Sequence, residues 1–454
     1  VAVAVALRVW QLDWGLPSLF HPDETYAAGH ILDMLGGDFS GMRYHHPPLM
    51  KYLGWLLALP WSGWTEPGLV HLLRWVSAAA GTALVPATHA LARRAGVSET
   101  AALLAAALVA LSPLTVTLSR YAAPDMVMTL LLTASLASSS WGRGGLLLGL
   151  AVGSKYNALA GALAWAWRAR EASRREVALG LAGGLAGLAV SFPMVWTQLD
   201  VLWDSLAYEY DHTMVSGHGG VRVGLGQTWG LFYLREAWLP GVGPLAAVAG
   251  VVGLRWVRAR PLLLVLGAYL VVIELAYKVP PAPHRYLLPV APILAVGAGA
   301  AWDALAPRWR APLAALALAW PVVDTVALGV DMGTDSRDEA AAWLRETMPE
   351  ASVARFGPGP YQPDLRGHPG PVQTLPCRRP PGIEEAEVVV VSSFEYARYL
   401  AWPSHFPPCT RRYRRLLEGE LLYEGGPTWR TWMFHEPTIK VLRLPAAPGA
   451  SASP

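Results

Sequence analysis

Short arginine-bearing gaps separate a series of apolar runs, and this alternation constrains the chain more than any other feature. The runs cover residues 1–12, 69–92, 99–119, 124–140, 144–155, 157–167, 177–197, 236–254, 261–277, 286–305 and 311–330. A helix crossing a bilayer needs about 20 largely apolar residues, and cytoplasmic connections carry an excess of Lys and Arg. Setting the connections 93–98, 141–143, 168–176, 255–260 and 306–310 on the cytoplasmic side gathers there Arg93, Arg94, Arg143, Arg168, Arg170, Arg174, Arg175, Arg255, Arg258, Arg260, Arg308 and Arg310. The assignment holds only if the short apolar stretch 48–62 lies along the outer interface and 144–167 crosses twice. The second condition makes Ser154-Lys155-Tyr156-Asn157 the turn of a tight hairpin; one helix of about 30 residues is the alternative. Eleven crossings follow, with everything after the last on the outer side.

Composition agrees. The 454 residues are 53% hydrophobic and 15% charged, against about 25% charged in soluble domains. The 21 tryptophans suit helix ends at lipid headgroups. A net charge of +3 gives no reason to expect nucleic acid as a partner. The apolar start, Val1 to Val9, is too short to span alone and reads as the remainder of a truncated first helix, with no cleavage pattern of a signal peptide. Residues 1–330 read as the membrane domain, 331–446 as a small outer α/β domain and 447–454 as a disordered tail. In the outer domain, Asp335 to Glu339 can start a helix through Trp343 and Leu344, and Val388 to Val391 and Ile439 to Leu444 read as strands. Its two cysteines, Cys377 and Cys409, are the only ones in the chain. On an oxidising side of the membrane they are expected to pair.

Cations left on the outer face run against the orientation rule and call for a local reason such as an anionic ligand. In the membrane region they are Arg43, Lys51, Arg120, Lys155, Arg235, Lys278 and Arg285. Headgroup contact by flexible side chains is the plainer explanation for any one of them. Acids accompany them. The first outer loop opens with His21-Pro22-Asp23-Glu24-Thr25-Tyr26 and closes with Arg43-Tyr44-His45-His46-Pro47-Pro48-Leu49. A carboxylate at the low-dielectric boundary can become a competent base; the same acids also suit the first turn of a helix opened by Pro22. The histidines can meet phosphate or a metal, or simply form an interfacial turn. Ser119-Arg120-Tyr121-Ala122-Ala123-Pro124-Asp125 sets another arginine and acid at an outer junction.

These pieces resemble the GT-C glycosyltransferases, in the branch of protein O-mannosyltransferases and aminoarabinose transferases. The resemblance rests on Asp23-Glu24, His46-Pro47-Pro48-Leu49, Ser119-Arg120 with Asp125, Gly153-Ser154-Lys155-Tyr156-Asn157, Gly217-His218-Gly219 and His284-Arg285-Tyr286-Leu287-Leu288-Pro289, in that order. It implies a polytopic helical enzyme of the cell membrane, with interfacial helices in the first outer loop and an extracytoplasmic active site. Such an enzyme takes a monosaccharide from a polyprenyl phosphate to a hydroxyl of a protein, glycolipid or glycan. By resemblance Asp23 is the base and Asp125 the second acid, with Glu24 beside them. His45, His46, Arg120, Lys155, Tyr156, His218, Arg285 and Tyr286 become substrate-binding candidates. The lysine that precedes Pro-Pro in aminoarabinose transferases is His46 here, which leaves Lys155, Arg120 or Arg285 for the lipid phosphate. Some relatives bind a divalent ion, yet His21, His45, His46, His212 and His218 match no fixed zinc spacing. The rival reading is a transporter or flippase of lipid-linked sugars. Such proteins show internal repeats and charges at the midplane; here no repeat is evident and the charges gather at one face.

Overall fold

The computed structural model describes residues 1–216, 234–257, 260–275, 283–357, 359–377 and 386–443. Large apolar side chains are exposed along many of its helices. Leu103, Leu146, Leu163, Leu181, Leu185, Val190, Val251, Val271, Leu316 and Val330 all point outward, while arginines, serines and threonines are buried among the helices. A soluble protein does not expose apolar surface so widely; a bilayer-embedded one does.

The first half runs α1 (Ala2–Val9), α2 (Pro22–Leu35), α3 (Leu49–Ala58), α4 (Glu66–Arg94), α5 (Glu99–Leu111), α6 (Pro113–Leu118), α7 (Asp125–Ala137), α8 (Trp141–Ser154), α9 (Gly161–Arg168), α10 (Arg174–Ser191) and α11 (Leu199–Tyr210). By length and composition, three stretches of the described residues are long and apolar enough to cross a membrane: Glu66–Arg94, His284–Asp303 and Pro307–Thr347. Other apolar helices, among them Glu99–Leu111 and Asp125–Ala137, are shorter. The expected eleven full-length spans therefore do not emerge from length alone. The reason is local: Pro113 cannot donate a backbone hydrogen bond, so the run 99–119 breaks at Ser112 into α5 and α6.

At Lys155 the backbone is extended (φ −159°, ψ 131°), which ends α8. A 3₁₀ turn, Tyr156–Ala160, then leads into α9. Trp165 of α9 meets Trp141 at the far end of α8, with ring centroids 5.0 Å apart. The two helices are thus arms of a hairpin, the reading that excludes one continuous helix. Helices α8 and α10 approach through small residues: a Cβ at Gly149 would collide with the carbonyl oxygen of Gly184. Close backbone approach of this kind replaces the hydrophobic drive that lipid does not supply. Helix α3 spans ten residues, about 15 Å at 1.5 Å per residue, too short to cross.

After α12 (Leu239–Val242), α13 (Pro244–Gly253), α14 (Arg260–Leu275) and α15 (Ala291–Asp303), the long α16 (Pro307–Asp331) leads into a C-terminal α/β region, where α17 (Ser336–Thr347) begins. Strands β1 (Val353–Phe356), β2 (Val372–Leu375), β3 (Val388–Ser392), β4 (Glu420–Gly425) and β5 (Ile439–Arg443) form one sheet in the order β2-β1-β3-β5-β4. The first three are parallel, and β5 runs antiparallel to both neighbours. Alternate residues serve opposite faces: Val388, Val390 and Val441 pack with Ala341 and Leu344 of α17. Val389, Val391 and Leu442 pack with Tyr413 and Leu416 of α19 (Pro407–Leu417), beyond α18 (Ser393–Ala401). A strand covered on both faces reads as a continuous apolar run, which explains the four consecutive valines. Residues 444–454, with the expected tail boundary, lie outside the described residues.

Cys377 and Cys409 form a disulfide across a sequence separation of 32, with Cα atoms 5.2 Å apart. Closing such a loop contributes roughly 3–4 kcal/mol in the chain-entropy model. Alkylation of unreduced protein is expected to leave both cysteines unmodified, and reduction to expose both and lower the unfolding temperature. Labelling of both thiols before reduction would contradict the pairing.

Candidate active site

Helix α2 begins where His21 caps it: the His21 Nδ1 accepts the Asp23 amide at 3.2 Å and Pro22 occupies the first turn. The two acids that follow point about 100° apart around the helix, since each residue advances by that angle, and the fold gives them different partners. Glu24 is fully buried and accepts from Arg74 of α4 through both oxygens, at 2.9 and 2.7 Å. It also accepts the Ala122 amide at 2.7 Å. Arg74 completes its fork on the carbonyls of Leu12 and Trp14 at 3.0 and 2.5 Å. Every strong partner of this pair is internal, so Glu24 is a structural tie between α2, α4 and the 119–124 loop.

Asp23 instead pairs with Arg285 and keeps 23% of its side chain exposed. Burial alone would push its carboxyl up, but the Arg285 guanidinium, with His21 and His46, outweighs this and holds it well below the usual carboxylate range. Across the site Asp125, at the start of α7, accepts from Lys155 Nζ at 2.6 Å. Its other oxygen has no hydrogen-bond partner among the described residues. Tyr286 joins the two pairs: Lys155 lies 5.1 Å from its ring centroid and Arg285 5.7 Å. Asp23, Arg285, Tyr286, Lys155 and Asp125 thus form one continuous cluster.

The remaining expected residues divide. His46 faces the cluster; burial pulls its imidazole down to about 4 against the pull of Asp23, so it is neutral at physiological pH. His45 packs on Tyr208 of α11, centroids 4.3 Å apart. Tyr156 donates to the Tyr44 carbonyl at 2.8 Å and ties the α8–α9 turn to the first loop. Arg120 does not join them. It is buried and donates to the Leu7 carbonyl at 3.2 and 2.7 Å. Helix α1 ends at Val9, and carbonyls in a last helical turn lack internal partners and carry the negative end of the dipole. Arg120 satisfies that helix end. His218 lies outside the described residues.

One group escaped the sequence reading. Burial pushes the Glu209 carboxyl, on α11, up to about 6, against the cations Lys155 and Arg285. Its helix runs directly into a π-helical turn, Asp211–Val215, a rare geometry that concentrates at functional sites. No motif surrounds this acid in the sequence. Lys51 of α3, one of the cations expected at this face, is buried and donates to the Arg43 carbonyl at 2.9 Å. For a metal, no group of three or more His, Cys, Asp and Glu side chains is arranged to hold an ion among the described residues. His21 has already committed Nδ1 to its helix cap.

Breaking a buried ion pair leaves the surviving charge uncompensated and costs about 3–5 kcal/mol. Glu24→Gln is therefore expected to lower the unfolding temperature markedly in detergent, and Glu24→Gln with Arg74→Met to recover part of the loss. A single variant melting with the parent protein would remove the structural role of Glu24.

Residues 2–169 match the family described as dolichyl-phosphate-mannose-protein mannosyltransferase. Among curated proteins no sequence matches significantly. Among solved structures, ArnT from Cupriavidus metallidurans in the apo state aligns with a TM-score of 0.57 at 16% identity, covering 97% of this chain and 96% of that one. The same protein bound to undecaprenyl phosphate aligns at 0.55 and 14% identity, covering 100% and 98%. The Archaeoglobus fulgidus oligosaccharyltransferase in complex with Zn and sulfate aligns at 0.53 and 15%, covering 94% of this chain and 71% of that one. The chain is a polytopic helical membrane protein with the GT-C glycosyltransferase fold.

Proposed function

We propose that this protein is a membrane glycosyltransferase that moves a monosaccharide from a polyprenyl phosphate to an acceptor hydroxyl with inversion. The observation that carries the proposal is the cluster in which Tyr286 joins Asp23–Arg285 to Asp125–Lys155. The structural likeness to a protein that binds undecaprenyl phosphate supports the same donor class. Breaking a glycosyl–phosphate bond needs cationic stabilisation of the departing phosphate and a base for the incoming hydroxyl. Arg285 and Lys155 supply the first, and Asp23 the second.

In this reading the donor phosphate draws Arg285 toward itself and loosens its hold on Asp23. The acceptor oxygen then attacks the anomeric carbon while its proton passes to the Asp23 carboxylate. The anomeric C–O bond breaks, and its electron pair leaves on the phosphate. One displacement inverts the anomeric centre. The unpartnered oxygen of Asp125 is available to orient a sugar or acceptor hydroxyl.

The arginines at the opposite helix ends support the orientation. Arg94, at the end of α4, and Arg168, at the end of α9, line one small cavity with Pro261, whereas the cluster lies at the starts of α2 and α7 and beyond the end of α8. With the arginine side taken as cytoplasmic, the cluster lies on the outer side of the cell membrane in this reading, and the α/β domain with it. The acceptor is then a protein, glycolipid or glycan of the envelope.

Asp23→Asn is expected to lower transfer by about 10² to 10⁴, the usual loss for a general base, with donor binding nearly intact. Purified enzyme incubated with labelled polyprenyl-phosphate sugars, followed by identification of the labelled product, measures this and names the sugar. Turnover above about a third of the parent rate would eliminate Asp23 as the base.

A further inference from the structure

We propose that the cavity between the ends of α4 and α9 and the start of α14 binds the phosphate of an anionic phospholipid, with Arg94 and Arg168 as its cations. The site stands independently of the transferase reading, and the orientation reading enters only in assigning the lipid to the cytoplasmic leaflet.

The cavity has a volume of about 50 Å³, with apolar walls from Leu91 of α4, Leu136 of α7, Ala164 of α9 and Leu262 of α14. Trp165, Arg94 and Arg168 complete the lining, and no acid contributes to it among the described residues. One water needs roughly 10–15 Å³ of such space, so the cavity has room for the oxygens of a phosphate and is too small for a sugar ring.

Arg168 is set in place from several sides. Its guanidinium lies 4.1 Å from the Trp165 ring centroid and 5.2 Å from that of Trp141, and it donates to the Ser138 carbonyl at 3.2 Å. Trp165 is fixed in turn: its Nε1 donates to the Ser135 hydroxyl at 2.9 Å, and its ring fills the space a Cβ would need at Gly144. Glu176 is the acid whose charge reaches Arg168, but it is committed to the cap of α10, where it accepts the Ser173 amide and hydroxyl at 2.8 Å each. Arg93 pairs with Glu99 at 3.1 Å and donates to the Val97 carbonyl at 2.6 Å. Arg94, beside it, is exposed and forms no ion pair or hydrogen bond among the described residues.

The local charge balance favours an anion. Each helix end carries about half a charge. Two negative ends, from α4 and α9, therefore stand against one positive end, from α14, and two guanidinium groups, which leaves the cavity positive by roughly one and a half charges. Like charges at the edge of a low-dielectric medium repel strongly, and a phosphate relieves this while matching the guanidinium fork. A lipid fits better than a free ion because Leu163, beside Ala164, and Leu263 and Leu264, beside Leu262, are exposed and offer apolar surface for acyl chains. Basic pockets between helices at the cytoplasmic face are suited to anionic headgroups. Helix α7 starts at Asp125 and α9 follows the turn after Lys155, so a lipid joining their far ends braces the two arms that carry this ion pair.

Native mass spectrometry of the full chain in detergent, with phosphatidylglycerol, phosphatidylcholine of the same chains or inorganic phosphate added, tests the site without sugar transfer. Phosphatidylglycerol is expected to bind the parent protein in preference to phosphatidylcholine and to raise its unfolding temperature. Arg94→Gln, which removes a side chain that holds nothing else in place, should weaken phosphatidylglycerol binding about tenfold or more, the loss of one charged hydrogen bond. Arg94→Lys should recover part of that loss. Arg175→Gln, the same charge change at an exposed position of α10, should leave the affinity at the parent value. Arg168→Gln should match Arg94→Gln, and if it does not fold, Arg94→Gln decides alone. Equal binding of the two lipids by the parent protein, or equal losses in Arg94→Gln and Arg175→Gln, would overturn the site in favour of diffuse charge. Arg94-dependent binding of inorganic phosphate with no preference between the lipids would overturn the lipid as its ligand. Failure to turn over any donor sugar bears on the transferase reading and leaves these binding results unaffected.

Discussion

Glu24 and Arg74 are both inaccessible to solvent and satisfy each other at 2.7 Å. That pair holds the start of α2 against α4, and Arg74 extends the hold to the carbonyls of Leu12 and Trp14. Adjacent helical residues cannot share a direction, so fixing Glu24 inward also fixes where Asp23 goes. It goes to Arg285, 262 residues later in the chain. The division of two neighbouring acids into a fully buried structural one and a partly accessible one is the constraint on which the cluster depends.

The C-terminal α/β region holds the same helix from its other side. His21 packs between Phe434 and Tyr121, at centroid distances of 4.2 and 4.8 Å, and the Tyr121 hydroxyl meets His435 Nδ1 at 3.2 Å. Arg337 lies 4.0 Å from the Phe20 ring and donates to the Phe434 carbonyl at 2.7 Å. Buried Asp324, on α16, receives Arg430 through both oxygens at 3.0 and 2.5 Å. The cap residue of α2 is thus packed against the α/β region while Glu24 is anchored among the helices. The α/β domain serves as a wall of the candidate site and is not an independent appendage.

Much of this arrangement could be read in the chain. The arginine gaps marked the helix ends, and the polar Ser154 to Asn157 stretch marked the hairpin, because such residues interrupt an apolar run wherever they fall. The strands at Val388 and Ile439 were visible for the same reason that buried strands usually are, namely continuous apolar composition. The separate fates of Asp23 and Glu24 were not, since Glu24 looks reactive until Arg74, 50 residues away, is found beside it. The break within the run 99–119 was not read either, because apolar composition continues through Pro113 although helical hydrogen bonding does not.

Arg120 shows why cations at a membrane boundary must be sorted by their acceptors and not merely located. Arg8 and Arg120 are as buried as any residue of the cluster, yet among the described residues neither is paired with a carboxylate. Arg8 donates to the carbonyls of Val109 and Ala110, near the end of α5, at 3.2 and 3.1 Å, and Arg120 donates to Leu7 near the end of α1. Backbone carbonyls at helix ends cannot leave, and the dipole there compensates part of the charge, so such arginines are fixed parts of the fold. A carboxylate partner can be exchanged for another anion, as at Arg285 and Lys155. The same positive charge at the same face of the helices therefore has two physical meanings, decided by whether its partner is permanent or exchangeable.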